Sequence, residues 1–229
     1  MTADSNPYQA LDRYLVRRGG LAEDVAGYVR ELVLTGVLKP GEKIDQDAIG
    51  VALDVSRSPI REALVVLGKE GLLDVTPRRG AFVANLTRAD IIDHYELFGL
   101  VSGRVAALAA TTLSDDDIGA LQEVHQRFVD SPASEHSKLN HEFHSLINSV
   151  APRRTRWLLQ HLERSVPSNY YDFVIDWDDT AMAGHAQIVE AIAARDAQRA
   201  REAMEAHLHE GGVAAADALL SRGFWKDTV

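Results

Sequence analysis

The chain has 229 residues, of which 46% are hydrophobic and 25% charged, and its formal net charge is −10. This length and composition suit one or two globular domains. The sequence contains no cysteine, which excludes disulfides, cysteine-ligated zinc and cysteine nucleophiles within it and suits the cytoplasm. It has neither an apolar run near the ~20 residues of a membrane helix nor a signal-peptide pattern. We therefore expect a cytoplasmic protein without a membrane partner.

The negative charge is unevenly distributed along the chain. Residues 1–85 contain 11 Lys and Arg against 12 Asp and Glu, whereas residues 86–229 contain 13 against 22. The first part is thus nearly neutral, and arginines are grouped in it at positions 57, 61, 78 and 79. An acidic second part does not prevent binding to DNA when a local basic face exists.

The first third of the chain has the element order of a winged helix-turn-helix. Residues 1–20 form a polar arm, with one helical turn near residues 10–16, and residues 21–36 have apolar side chains at helical spacing. Helices over 46–53 and 59–70 flank a tight turn, and two short strands flank the Pro-Arg-Arg-Gly turn at 77–80. We predict a DNA-binding domain over residues 21–85.

The second of these two helices begins with residues suited to DNA. Ser58 is a favourable N-cap and Pro59 suits the first helical turn. Together with Ser56, Arg57 and Arg61, this turn carries two hydroxyls and two guanidinium groups at the positive end of a helix. Such a group can hold backbone phosphates and reach base edges in a major groove.

Residues 86–229 read as a different kind of domain. Helical patterns cover about 88–111, 115–130, 134–150, 153–171, 178–194 and 196–220, and no segment is patterned as a strand. The predicted fold class is therefore mainly α, with a winged helix-turn-helix and a small β-wing followed by an all-helical bundle.

Several segments resemble known families. GVLKPGEKI (36–44), DVSRSPIREAL (54–64) and EGLLDVTPRRGAFVA (70–84) resemble the DNA-binding domain of GntR-family transcription regulators. TRADIIDHYEL (87–97), LNHEFHSLI (139–147) and GHAQIVEAIAARDAQRAREAMEAHL (184–208) resemble the FCD effector domain of the FadR subfamily. The resemblance implies a regulator that binds an operator through one domain and a small molecule through the other.

The resemblance also implies which residues contact DNA. Operator contacts fall on arginines of the recognition helix, phosphate contacts on the neighbouring hydroxyls, and minor-groove contacts on the wing tip. In this sequence these residues are Arg57 and Arg61, Ser56 and Ser58, and Arg78, Arg79 and Gly80. Asp47 stands where some relatives have a phosphate-contacting arginine, so that contact is not expected here.

A metal site is implied in the second domain, where all nine histidines lie. The ligands carried over from the resemblance are Asn140, His144, His185 and His207, and the first two lie one helical turn apart on one face. Three imidazoles and one oxygen suit Zn²⁺ or Ni²⁺, although the amide of Asn140 is a weaker donor than a carboxylate. We do not expect His141, His161 or His209 to be ligands.

The expected effector pocket differs from that of relatives. Phe98 and Ser102 stand where many FCD domains have an arginine and a glutamate, and the arginine helps those domains to hold a carboxylate ligand. Residues 170–179 are acidic and aromatic where relatives often have arginines. A pocket lined by Phe98, Ser102, Tyr170 and Tyr171 favours a larger or more apolar effector than a simple hydroxy acid.

The sequence thus predicts a ligand-responsive regulator, most simply a repressor, that binds a palindromic operator as a homodimer and is not an enzyme. Three alternatives remain open: a metal-independent regulator with an apolar effector pocket, an architectural DNA-binding dimer without an effector, and a metal-dependent enzyme that uses the histidines. The HEFH sequence at 141–144 does not support a metalloprotease, because its histidines are three residues apart and HExxH needs four.

Overall fold

The computed structural model describes Tyr8, residues 20–166, Val174 and residues 177–225, with the side chains of 177 and 178 left aside. The chain forms two compact units. The first contains the residues up to Thr87 together with the chain from Leu219 onwards, and the second spans Arg88–Ala218. The helical turn predicted near residues 10–16 and the pocket residues Tyr170 and Tyr171 lie outside the described residues.

The first unit is a winged helix-turn-helix, as predicted. Its elements are α1 (Leu21–Leu34), α2 (Gln46–Leu53), α3 (Arg57–Lys69), β1 (Leu73–Thr76) and β2 (Gly80–Val83). The strands are antiparallel, with Leu73 opposite Val83 and Thr76 opposite Gly80. Asp45 caps α2, where its side chain accepts hydrogen bonds from the backbone N–H groups of Asp47 and Ala48.

The start of α3 differs from the prediction. The helix begins at Arg57 rather than Pro59, and its N-cap is Ser56, which has extended backbone angles and no side-chain capping bond. Pro59 is therefore the third helical residue, still within the turn whose N–H groups lack intrahelical partners. The Ser58 hydroxyl donates to Glu62 Oε1 at 3.3 Å instead of capping the helix.

An apolar core and one ion pair hold the first unit together. The buried core residues come from all three helices and the wing, and the largest side chains that are completely buried are Tyr28, Leu32, Leu38, Ile49, Ile60 and Leu67. Beside this core, Arg30 of α1 donates to both carboxylate oxygens of Glu70, at 2.9–3.0 Å. The two side chains are only 7% and 12% exposed, so this pair joins α1 to the end of α3 in a desolvated place.

We expect Glu70→Ala to destabilise the first unit severely. Removing one partner of a buried ion pair leaves the other charge uncompensated, which costs about 3–5 kcal/mol. The free energy of unfolding from urea titration should fall by that amount, whereas Asp74→Ala, at an exposed position of the wing, should leave it almost unchanged. A similarly small effect of Glu70→Ala would show that Arg30 is solvated in solution.

Two segments distant in sequence complete the first unit. In the arm, Tyr8 is 5% exposed; the Asp45 N–H donates to its hydroxyl at 2.8 Å, and the Tyr28 hydroxyl donates to its carbonyl. The sequence predicted only a polar arm here, but this tyrosine is held by burial and hydrogen bonds. At the other end, Phe224 is buried and the Trp225 indole donates to the Leu86 carbonyl at 2.7 Å.

A helix stop positions that C-terminal segment. Gly223 has a φ of +64°, its N–H donates to the Leu220 carbonyl, and the Phe224 N–H donates to the Leu219 carbonyl. This is the Schellman arrangement, which turns the chain after a helix and brings the following apolar residue back. We expected residues 86–229 to form the second domain, but the buried side chains of Leu219 and Phe224 group this end of the chain with the first unit.

The second unit is all-helical within the described residues. It contains α4 (Arg88–Thr112), α5 (Asp115–Asp130), α6 (Ala133–Asn148), α7 (Arg153–Glu163), α8 (Trp177–Ala193) and most of α9 (Ala197–Ser221). The helix predicted over 153–171 is shorter than expected. It ends at Glu163 and passes into a turn at Arg164–Val166, because Pro167 follows and disfavours a helical conformation in the residue before it.

Small residues bring α4 and α9 close together. A β-carbon on Gly103 would lie 2.8 Å from Glu205 Cγ, and one on Gly212 would lie 2.6 Å from Tyr95 Cβ. The helices therefore approach more closely than larger side chains would permit. Within the described residues no helix is long and apolar enough to cross a membrane.

Candidate nucleic-acid interface and metal centre

The helix α3, which the sequence predicts to be the recognition helix, presents its arginines to solvent. Ile60, Ala63, Leu64 and Leu67 are buried in the core of the first unit, which directs the opposite face outward. Arg57 and Arg61, four residues apart, lie side by side on that exposed face. Ser56 and Ser58 are also exposed, so two guanidinium groups and two hydroxyls surround the positive end of this helix.

The wing ends in a short basic turn. Pro77, Arg78 and Arg79 join β1 to β2, and the Arg79 N–H donates to the Thr76 carbonyl at 3.2 Å. Arg78 and Gly80 have φ values of +65° and +107°, and the second of these favours glycine. Both arginine side chains are exposed, so the wing tip carries two positive charges.

An acidic residue is paired with the first arginine of α3. Arg57 Nη2 donates to Asp47 Oδ1 at 2.8 Å, and both side chains remain exposed, by 67% and 74%. In contrast, Arg61 has no ion-pair partner among the described residues. The two arginines of α3 therefore differ in their electrostatic surroundings.

Three histidines from three helices of the second unit meet in its interior. His144 lies on α6, His185 on α8 and His207 on α9, and they offer ligand nitrogens that lie within 4.8 Å of one another. The His185 ring centroid is 5.4 Å from that of His144 and 4.9 Å from that of His207. These are the three histidines that the sequence predicted as metal ligands.

Burial keeps these imidazoles neutral. Desolvation, reinforced by the neighbouring histidines, lowers the pKa of His144 to about 3, and desolvation alone lowers the pKa of His207 to about 4. The same two causes hold the pKa of His185 well below its ordinary value. His185 is fully buried, and neither of its ring nitrogens has a hydrogen-bond partner within the described part of the chain. Neutral imidazole is the form that binds metals, and an orphaned buried nitrogen otherwise costs free energy.

Packing fixes the orientation of two of the rings. Phe143 stacks on His185, with centroids 4.1 Å apart and 20° between the planes. On α8, a β-carbon on Gly184 would lie 2.5 Å from His207 Nδ1. Glycine at 184 is therefore what allows His207 to lie against the backbone of α8.

Asn140, the fourth predicted ligand, and four further histidines have different surroundings. Asn140 is half-buried on α6, one turn before His144. His141 faces Glu163 and His209 faces Glu96 at the surface, while His161 contacts Trp157 with the two rings tilted by 32°. Sequence reasoning did not single out His125, yet its ring centroid lies 6.3 Å from that of His185, and its buried Nδ1 has no hydrogen-bond partner among the described residues. His125 lies on α5 and His185 on α8, and no local sequence pattern indicates that two residues so far apart in the chain are close in space.

The two described pocket residues lie on the inward side of α4. Ser102 is 3% exposed, and Phe98 is half-buried and packs against the apolar core of the second unit. That core includes Phe143, the residue stacked on His185. Phe98 and Phe143 thus belong to the same apolar core.

A winged helix with exposed arginines, joined to a helical unit with a buried histidine cluster, is the architecture of a DNA-binding regulator. The family model described as bacterial regulatory proteins, gntR family, matches residues 21–83, and the FCD domain model matches residues 93–210. The chain belongs to the GntR family and carries an FCD domain. The two matched domains and the relatives of this chain indicate a transcriptional regulator and not an enzyme, as the sequence predicted.

The relatives agree with this membership. An uncharacterized HTH-type transcriptional regulator of Mycobacterium tuberculosis is 37% identical over 112 residues, which cover 49% of this chain but only 46% of that protein. An uncharacterized HTH-type regulator of Streptomyces ambofaciens is 30% identical over 81% of this chain and 80% of its own length. Among solved structures, McbR/YncC of Escherichia coli shares the fold, with a TM-score of 0.60 and 20% identity over 84% of this chain and 95% of its own.

Proposed function

We propose that this protein is a transcription repressor that binds a palindromic operator as a homodimer and releases it in response to a small molecule. The observation that carries the proposal is the pair of exposed arginines, Arg57 and Arg61, on the first two turns of α3. A recognition helix contacts base edges with its N-terminal residues, and arginine can bind guanine with two hydrogen bonds. Ser56 and Ser58 would contact phosphates, and Arg78, Arg79 and Gly80 the adjacent minor groove.

Repression is supported by one relative. The HTH-type transcriptional repressor RspR of Escherichia coli is 24% identical over 90% of this chain and 89% of its own length. A selection from random duplex DNA with the purified protein tests the operator proposal. It should enrich an inverted repeat, because a two-fold symmetric dimer presents the same surface twice. Enrichment of no sequence, or of one without symmetry, would contradict it.

We propose further that His144, His185 and His207 bind a divalent metal, with Asn140 as an oxygen ligand. The buried, neutral and orphaned nitrogens of His185 fit such an ion. Three nitrogens and one neutral oxygen favour Zn²⁺ or Ni²⁺. A small-molecule effector beside this centre, near Phe98, Ser102, Tyr170 and Tyr171, would change the population of conformations and weaken operator binding. DNA must then weaken effector binding by the same factor.

A self-complementary stripe on α4 supports the homodimer. Asp93, Leu97, Leu100 and Arg104 are exposed and spaced four, three and four residues apart, so they share one face of the helix. Leu97 and Leu100 are 49% and 51% exposed. A two-fold axis crossing α4 midway along this stripe would place each leucine against the other leucine of the partner subunit. It would also place Asp93 against Arg104 of the partner subunit, which is the isologous pattern that a C2 interface needs.

Charge-reversal variants of Asp93 and Arg104 test whether these residues pair across the proposed dimer interface. Asp93→Arg or Arg104→Asp alone opposes like charges twice across the two-fold axis, and each should raise the dissociation constant of the dimer about tenfold, or ~1.4 kcal/mol. The double variant restores opposite charges and should return the constant close to that of the wild type in sedimentation equilibrium. No weakening by either single variant would place the interface elsewhere, and equal weakening by the single and double variants would show that Asp93 and Arg104 do not pair across it.

A further inference from the structure

We infer that Asp47 determines DNA specificity by holding Arg57 and by reducing its attraction to non-operator phosphates. The inference rests on the proposed operator binding. Its basis is the 2.8 Å ion pair between Arg57 Nη2 and Asp47 Oδ1, at the exposed start of the recognition helix.

Stability of the fold does not explain this pair. Its side chains are 67% and 74% exposed, and ion pairs with such exposure contribute little to folding. Asp47 is also the second residue of α2, where its negative charge already interacts favourably with the helix dipole. The consequence of the pair therefore concerns what approaches this surface from solvent.

A phosphate backbone is the natural competitor of the Asp47 carboxylate. Non-specific binding to DNA depends almost entirely on cationic side chains that neutralise phosphates. Asp47 cancels the charge of Arg57 and adds a repelling charge beside it, so sequence-independent binding at this point is weakened. Arg61, without an ion-pair partner in the described residues, keeps its full attraction for DNA.

The ion pair between Asp47 and Arg57 has a different effect on the recognition of bases. The carboxylate engages Nη2, and this restricts the guanidinium group to fewer orientations before DNA arrives. A guanine edge then binds a side chain whose ordering cost has already been reduced. Asp47 thus opposes binding to backbone alone while it assists binding to the correct base, and both effects increase the ratio of specific to non-specific affinity.

The test compares Asp47→Asn with the wild type and with Asp116→Asn. Asp116 is likewise exposed and is likewise the second residue of a capped helix, in the second unit, so this control changes the same charge at the same helical position. Binding is measured by fluorescence anisotropy, across a salt series, on the selected operator and on a scrambled duplex of equal length.

For Asp47→Asn we expect about fivefold tighter binding to the scrambled duplex at ~0.1 M salt. The log–log salt slope should be steeper by about two, because one more phosphate contact becomes available in each of the two subunits. Operator affinity should change less than twofold, so the specificity ratio falls, whereas Asp116→Asn should match the wild type. An equal increase in affinity for both duplexes would show that Asp47 acts only as a repelling charge, and it would overturn the inference. Unchanged affinity for both duplexes would overturn it as well. If the wild type selects no operator, it is the proposed function that fails.

Discussion

Arg61→Ala is expected to reduce operator binding to the level of scrambled DNA while the protein stays folded. Arg61 is exposed on the outer face of α3, so its loss removes no core contact. A bidentate contact between arginine and guanine contributes about 1–3 kcal/mol of discrimination, and the dimer makes it twice. A gel-shift titration on the selected operator measures the effect.

Lys69→Ala provides the matched control for this prediction. Lys69 is an exposed cation in the last turn of the same helix, far from the end that enters the groove. It should change affinity only slightly, and in the same proportion for operator and scrambled DNA. Unchanged operator affinity in Arg61→Ala would show that α3 does not read the operator as proposed.

The second large effect is expected at the histidine cluster, where His144→Ala should abolish metal retention. Protein purified without a histidine tag should contain about one divalent ion per chain by plasma mass spectrometry, and zinc or nickel fits the ligands best. The variant should contain almost none, because two imidazoles and an amide hold such an ion too weakly. His161→Ala, which removes an exposed ring in contact with Trp157, should keep the wild-type content.

Gly184→Ala tests the same centre without removing a ligand. The added methyl group would lie 2.5 Å from His207 Nδ1 and must displace that ring. Alanine is favoured over glycine inside a helix by about 1 kcal/mol, so α8 should remain intact. We expect metal content to fall while the thermal unfolding of the metal-free protein changes little. A wild type that retains no ion after reconstitution with Zn²⁺ or Ni²⁺ would contradict the metal proposal and favour a metal-free apolar pocket.

Local patterns accounted for most of the fold. The 3.6-residue periodicity in 21–36 and the turn residues at 77–80 predicted α1 and the wing. The second half showed six helical patterns, and the residues that the structure describes there form six helices. Errors occurred where local signals conflicted. Ser58 and Pro59 suggested a later start for α3, and the helix predicted over 153–171 extended past Pro167, which disfavours a helical conformation in the residue before it.

Contacts between distant residues were harder to predict. Tyr8 and Phe224 are single aromatic residues in segments without a clear pattern, and only the folded first unit shows that both are buried. The three clustered histidines were predicted from the family resemblance, since no spacing within one helix joins α6, α8 and α9. The pairing of Asp47 with Arg57 depends on the angle between α2 and α3, which the sequence does not specify.

The most direct measurement for the proposed function is a hydroxyl-radical footprint of the wild-type protein on its selected operator. We predict two protected patches related by two-fold symmetry, with centres one helical turn or a multiple of it apart, as expected when two recognition helices enter successive major grooves. A single protected patch, or two patches without symmetry, would contradict a homodimer that reads a palindrome through Arg57 and Arg61.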